Sequence, residues 1–164
     1  MELESTSRRS FLVGSGSVVV GVMVGGAGFG SLAQAAEAAK GKGGYSPVAW
    51  VSIGADNNTI IYSPGSEMGQ GTMTSVPSIL ADEMELDWGT VSVQKSPSNA
   101  KLFGNPKFGG GMVTGSSRTV VGYYEVMRLA GLQAKLVLTG AAAQAWGVPA
   151  GEIIAENSML KHAA

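Results

Sequence analysis

Two short runs combine glycine with amide, hydroxyl and guanidinium groups. The first is Glu67-Met68-Gly69-Gln70-Gly71-Thr72; the second runs from Gly109-Gly110-Gly111 through Thr114-Gly115-Ser116-Ser117-Arg118-Thr119. Each stands just before a stretch with helical periodicity. The first N–H groups of a helix lack intrahelical partners, and the dipole makes that end positive, so it favours an anion. Glycine lets backbone approach a ligand closely and adopt positive φ. Gln70 adds an amide that donates and accepts at once, which suits the edge of a heterocycle. Arg118 adds a fixed charge with planar donors. Together the turns have the means to hold a long polar ligand with phosphate and ring character. The residues alone leave an ordinary alternative open: glycine turns and Ser/Thr caps begin many helices. Neither run has the lysine of a P-loop or the strand–GxGxxG–helix setting of a dinucleotide fold.

The elements that must position these turns follow from periodicity. Val48 to Ile53 and Thr59 to Tyr62 read as a hairpin around Asp56-Asn57-Asn58. Thr74 to Leu86 fits a helix with Val76, Ile79, Leu80 and Met84 inward, Pro77 in its first turn and Trp88-Gly89 closing it. Val91 to Gln94 alternates as a strand. The stretch 96–114 is long and irregular, which marks a functional or mobile loop. A second helix runs from about Arg118 to Trp146, ended by Gly147 and Pro149. Ile153 to Glu156, the turn Asn157-Ser158, and Met159 to Lys161 close with a hairpin. The order ββαβαββ predicts an α+β fold, two main helices on a small mixed sheet, without regular βαβ alternation.

Composition narrows the chemistry. The chain has 164 residues, one domain's worth, with 11 Lys+Arg against 12 Asp+Glu. That balance argues against nucleic-acid binding through a general basic field. There is no cysteine and one histidine, His162. Thiolate metal sites, iron–sulfur ligation and multi-histidine metal sites within this chain are excluded. His162 reads as a surface or hairpin residue. Asp82, Glu83, Glu85 and Asp87 read as a solvated helix face rather than a metal site. Trp50, Trp88 and Trp146 read as core or element-end residues.

The first 35 residues read as an address. Arg8-Arg9 precede an uncharged stretch from Val13 to Gln34 that is rich in glycine, and Ala33-Gln34-Ala35 supplies a small-x-small cleavage pattern. This resembles a twin-arginine (Tat) export signal cut after Ala35. The alternative is a retained anchor over residues 13–32. The run Gly26-Ala27-Gly28-Phe29-Gly30 lies inside this apolar region and is not read as a nucleotide site. Residues 36–46 are small and polar, a flexible linker, so the domain proper begins near Pro47.

At the two turns the chain resembles a known family. Ser66 to Thr74 is similar to the EMGQG-x-x-T motif of molybdenum hydroxylases, the xanthine dehydrogenase and aldehyde oxidoreductase family. Ala81 to Trp88 resembles an A-E-E-L-x-x-D-W segment, and Thr114 to Thr119 a T-G-G-S-x-S turn. Ala143 to Pro149, Glu156-Asn157 and His162 fit the same branch, the isoquinoline 1-oxidoreductase β-subunit type, which includes large subunits of aldehyde dehydrogenases of acetic acid bacteria. The resemblance covers about residues 47–162.

The resemblance implies a molybdopterin cofactor, as the cytosine dinucleotide. Carried over by position, its contacts come from Gly69, Gln70, Gly71 and Thr72, and from Gly115, Ser116, Ser117 and Arg118. It implies hydroxylation of an electron-poor carbon with oxygen from water. Electrons then leave through 2Fe-2S clusters in a separate small subunit; that subunit and a cytochrome c subunit are the implied partners, and the periplasm the implied location. Family large subunits are several-fold longer, and their glutamate base lies in a C-terminal segment without counterpart here. Neither Glu67 nor Glu83 matches it. The chain therefore resembles an N-terminal fragment with no catalytic or metal-ligating residue of its own. A non-catalytic exported remnant or partner-binding module is the alternative.

Overall fold

A computed structural model describes residues 5–7, 18–21, 49–54 and 57–162. The expected Arg8-Arg9 pair, the cleavage pattern at Ala35 and the linker 36–46 lie outside the described residues.

The strands are β1 (Ser5–Ser7), β2 (Val18–Gly21), β3 (Ala49–Ile53), β4 (Thr59–Ser63), β5 (Val91–Lys95), β6 (Ile153–Glu156) and β7 (Met159–His162). The helices are α1 (Thr72–Glu83), a single turn α2 (Ala100–Phe103) and α3 (Thr119–Trp146), with short 3-10 turns between elements. The predicted ββαβαββ order holds from β3 onward apart from the added single turn α2, and the class is α+β. The strands form two sheets rather than one: a mixed sheet β2-β3-β4-β5 and an antiparallel sheet β1-β7-β6. Both additional strands, β1 and β2, come from the segment read as an export address.

β3 and β4 form the expected hairpin, whereas β4 and β5 are parallel and joined through α1. One βαβ crossover is thus embedded in the fold. It puts the carboxyl end of β4 directly before the first glycine turn, the edge where α/β units gather ligands. In the β6–β7 turn Asn157 and Ser158 both have positive φ, the backbone that a two-residue hairpin turn requires.

α1 begins two residues earlier than periodicity indicated, with Gly71 at its cap in the left-handed region. Pro77 accordingly lies in the second turn instead of the first, where it removes one intrahelical bond. The helix ends at Glu83, before the predicted Trp88-Gly89. Glu85 has φ 56, its N–H donates to Asp82 O, and the Leu86 N–H reaches back to Ala81 O. That is a Schellman ending with glutamate where glycine is usual.

α1 and α3 lie side by side and point the same way. Near their starts Gly65 fits between Thr72 and Thr119; further along, Gly131 packs against Leu80 O and Glu83. Arg128 pairs with Glu83 at 2.7 Å and Lys135 with Glu85 at 3.4 Å. Ala130, Gly131 and Ala134 keep the axes close. Trp50, Ile53, Ile61, Leu80, Tyr123 and Met127 are the heart of one core under both helices. Among the described residues no helix is long and apolar enough to cross a membrane.

Candidate functional site

Parallel packing brings the amino ends of α1 and α3 to one end of the domain, beside the carboxyl ends of β4 and β5. The two glycine turns meet there. The Ser66 N–H donates to the Thr114 hydroxyl at 2.9 Å, and a Cβ on Gly65 would stand 3.0 Å from Thr119 Cγ2. Two aligned helix dipoles add positive potential at that shared end.

The first turn closes on itself. The Glu67 carboxylate accepts from the N–H groups of Gly69 (2.7 Å), Gly71 (3.0 Å) and Met73 (2.9 Å). The Thr72 hydroxyl lies 3.4 Å from it. These bonds, with Met73 the strongest, lower the Glu67 pKa from 4.5 to about 2. Gln70 is engaged as well: its amide nitrogen donates to Ser66 O at 2.7 Å and Thr72 Oγ1 at 3.1 Å, and its oxygen accepts from the Met68 N–H. The donors for which Gly69, Gln70, Gly71 and Thr72 were singled out are largely directed inward, and Glu67 occupies the place an anion would take. No capping pattern gives Glu67 this role; the signal available in the sequence is an acid four residues ahead of the helix cap Gly71.

The second turn is open. Ser116 and Ser117 have φ 49 and 52, two consecutive non-glycine residues in the left-handed region. Both are exposed, and α3 starts after Arg118, its cap position, with no side-chain cap bond and no acid in its first turn. Gly115 accepts the Arg118 N–H through its carbonyl. The Arg118 guanidinium lies 5.7 Å over the Phe108 ring, with Nη1 3.4 Å from Lys107 O, so it leans on its own loop.

That loop, 96–114, is fixed in place by Asn105. Fully buried, Asn105 donates through Nδ2 to Arg118 O and accepts the Lys107 N–H at Oδ1. Its backbone bonds Phe108, Gly110 and Gly111. Gly122 leaves the necessary space, since a Cβ there would collide with Asn105 Oδ1. Tyr123 adds a 2.7 Å bond to Phe103 O, and burial pushes its hydroxyl up to about 12.

The remaining candidates have structural partners. His162 ends β7 and meets Glu152 at 2.8 Å. Asp87 accepts from the Gly89 N–H. Trp50 is core, with Phe103 edge-on at 4.8 Å, while Trp88 is partly exposed at the start of a 3-10 turn. Among the described residues no three His, Asp or Glu side chains group as a metal site. An open groove of about 520 Å³ lies between Pro106-Lys107 and the first turns of α3; none of the eight predicted contact residues lines it.

A family model described as molybdopterin cofactor-binding domain matches residues 5–163. Two relatives are similar along nearly the whole chain. One is the isoquinoline 1-oxidoreductase subunit beta of Brevundimonas diminuta, 39% identical over 160 residues, 95% of this chain and 20% of the relative. The other is a protein of Gluconacetobacter polyoxogenes named membrane-bound aldehyde dehydrogenase [pyrroloquinoline-quinone], 33% identical over 162 residues, 97% of this chain and 20% of the relative. The chain thus spans about a fifth of the length of these relatives.

Proposed function

The chain belongs to the molybdopterin cofactor-binding domain family, and from that premise we propose that it forms one wall of the cofactor site in an exported molybdenum-dependent oxidoreductase. The observation that carries the reading is the contrast between two adjoining helix starts. One is neutralised by Glu67; its neighbour offers Gly115, Ser116, Ser117 and the first N–H groups of α3 without an internal acceptor. An anionic pyrophosphate fits the open start. At the other start, Gly69, Gln70, Gly71 and Thr72 present a rigid surface to the ring portion, and an anion reaches their N–H groups only by exchange with the Glu67 carboxylate. Arg118, held over Phe108, supplies charge at the rim.

When bound, the cofactor supplies two-electron redox chemistry at molybdenum. This chain's own groups orient it by hydrogen bonds, and the close fit of Gly65 against Thr72 and Thr119 holds the two turns together. The base for hydroxylation belongs to the part of the family's length not spanned here. In this reading the substrate is an aldehyde or an N-heterocycle, the cofactor is the cytosine dinucleotide form, and electrons pass to an iron–sulfur subunit and a cytochrome c. Export by the twin-arginine route with cleavage after Ala35 requires β1 and β2 to leave their pairings with β7 and β3.

The test is co-expression of the chain with the remainder of a related subunit, followed by metal and cofactor extraction. Molybdenum with a pterin dinucleotide supports the reading. Pyrroloquinoline quinone in its place, in line with the name of the second relative, or no cofactor in a well-assembled complex, sinks it.

A further inference from the structure

α3 carries more apolar surface than its own domain covers. Its 28 residues include only three charges, Glu125, Arg128 and Lys135. Two of these turn back toward α1, Arg128 to Glu83 at its end and Lys135 to Glu85 in the turn that follows it. The inner face is filled by Tyr123, Met127, Ala130, Ala134 and Leu138. On the outer face Val121 is 61% exposed, Leu129 49%, Leu132 40% and Leu136 59%. Their spacing places them along one side of the helix over about 22 Å. Glu125 is the single charge on that side, and the open groove beside Pro106 and Lys107 continues the strip at its amino end.

A helix apolar on every side belongs either inside a larger protein or in a membrane. No described helix is long and apolar enough to span a membrane. The relatives that match nearly all of this chain are five times as long. We infer that the Val121–Leu129–Leu132–Leu136 strip of α3 is the seam on which the rest of the molybdenum subunit docks, the polypeptide equivalent to the four-fifths of the relatives' length that this chain does not span. The groove at Pro106 and Lys107 receives an apolar side chain at the end of that seam. The inference rests on family membership and on the uncovered helix face, and it is independent of which turn holds a phosphate.

The test uses the full 164-residue chain, co-expressed with the Brevundimonas diminuta subunit lacking its 160 matched residues. Assembly is followed by size-exclusion chromatography and the dissociation constant by titration. The expected result is a 1:1 complex that Leu132→Gln with Leu136→Gln weakens roughly tenfold or more. Ile154→Gln, an equally exposed apolar site on the other sheet, leaves it within about twofold. Circular dichroism shows whether each variant retains its helices; if the first pair unfolds, Val121→Gln with Leu129→Gln decides. Absence of a complex with the unsubstituted chain, a complex indifferent to the strip, or equal loss with Ile154→Gln overturns the inference. So does a self-dimer that the same substitutions dissolve. Cofactor content is measured separately. A strip-dependent complex without molybdenum sinks the proposed function alone, and a loaded complex indifferent to the strip sinks this inference alone.

Discussion

The Ser66 N–H and the Thr114 hydroxyl, 48 residues apart in sequence, meet at 2.9 Å and join the two glycine turns. This bond makes one site of two helix starts. Thr114→Val keeps the shape of the side chain and leaves a partly buried N–H without its acceptor. The expected loss of stability is about 1–2 kcal/mol, read as a lower melting temperature, with lower cofactor retention in the assembled subunit. A variant that melts as the parent does would show that water replaces the hydroxyl.

Glu67 sets an acid limit. Its pKa is about 2 in the folded chain against an ordinary 4.5. A depressed carboxylate stabilises the fold above the unfolded pKa, and that stabilisation is lost as pH falls from about 4.5 toward 2. Glu156, lowered through Lys161, contributes on the same limb. The informative quantity is therefore the difference between parent and Glu67→Gln. The variant should melt lower at neutral pH, and the gap should close as pH falls through this window. A gap constant with pH would mean that the carboxylate's charge is not what organises the turn.

Gly122 and Asn105 are a fitted pair. Gly122→Ala drives a Cβ into the buried Asn105 side chain, so the loop 96–114 must shift or lose its hydrogen bonds. The expected cost is on the order of 2–3 kcal/mol. Hydrogen exchange should then increase in residues 105–118 before it does in α1. Uniform loss of protection would contradict a local role for this pair.

Much of this arrangement was legible in the sequence. The hairpins, α1 and α3 follow from period-2 and period-3.6 patterns, and the Asn157-Ser158 turn from residues that tolerate positive φ. What escaped depends on contacts distant in sequence or on unusual partners. The start of α1 is fixed by Glu67, not by a Ser, Thr, Asp or Asn cap, so no capping pattern announced it. Its end uses Glu85 at positive φ, a place where glycine would have been the signal. Asn105 sits between a glycine and a proline with no periodicity around it, although it holds the loop that sequence read as functional or mobile. β6 and β7 pair with each other and not with β3, β4 or β5, and β1 and β2, which extend the two sheets, are short strands in a segment with the composition of an address.

Ser116 and Ser117 should separate stability from binding. Both hold left-handed backbone that glycine adopts more easily. Ser116→Gly and Ser117→Gly are each expected to change stability by about 0.5–1 kcal/mol in the favourable direction, while removing a hydroxyl from the open turn. Thermal melts of the chain check the first effect. Unchanged or lower melting temperatures would show that the turn is relaxed in this conformation.

In the proposed function the open start of α3 takes the anionic end of the pterin cofactor. The decisive measurement is the molybdenum and pterin content of the assembled subunit, compared at equal assembly between the parent and Ser117→Asp, which puts a carboxylate at the open start as Glu67 does at the other. Near-stoichiometric cofactor is expected in the parent, with most of it lost in Ser117→Asp. Full loading of Ser117→Asp would show that the anionic end of the cofactor lies elsewhere.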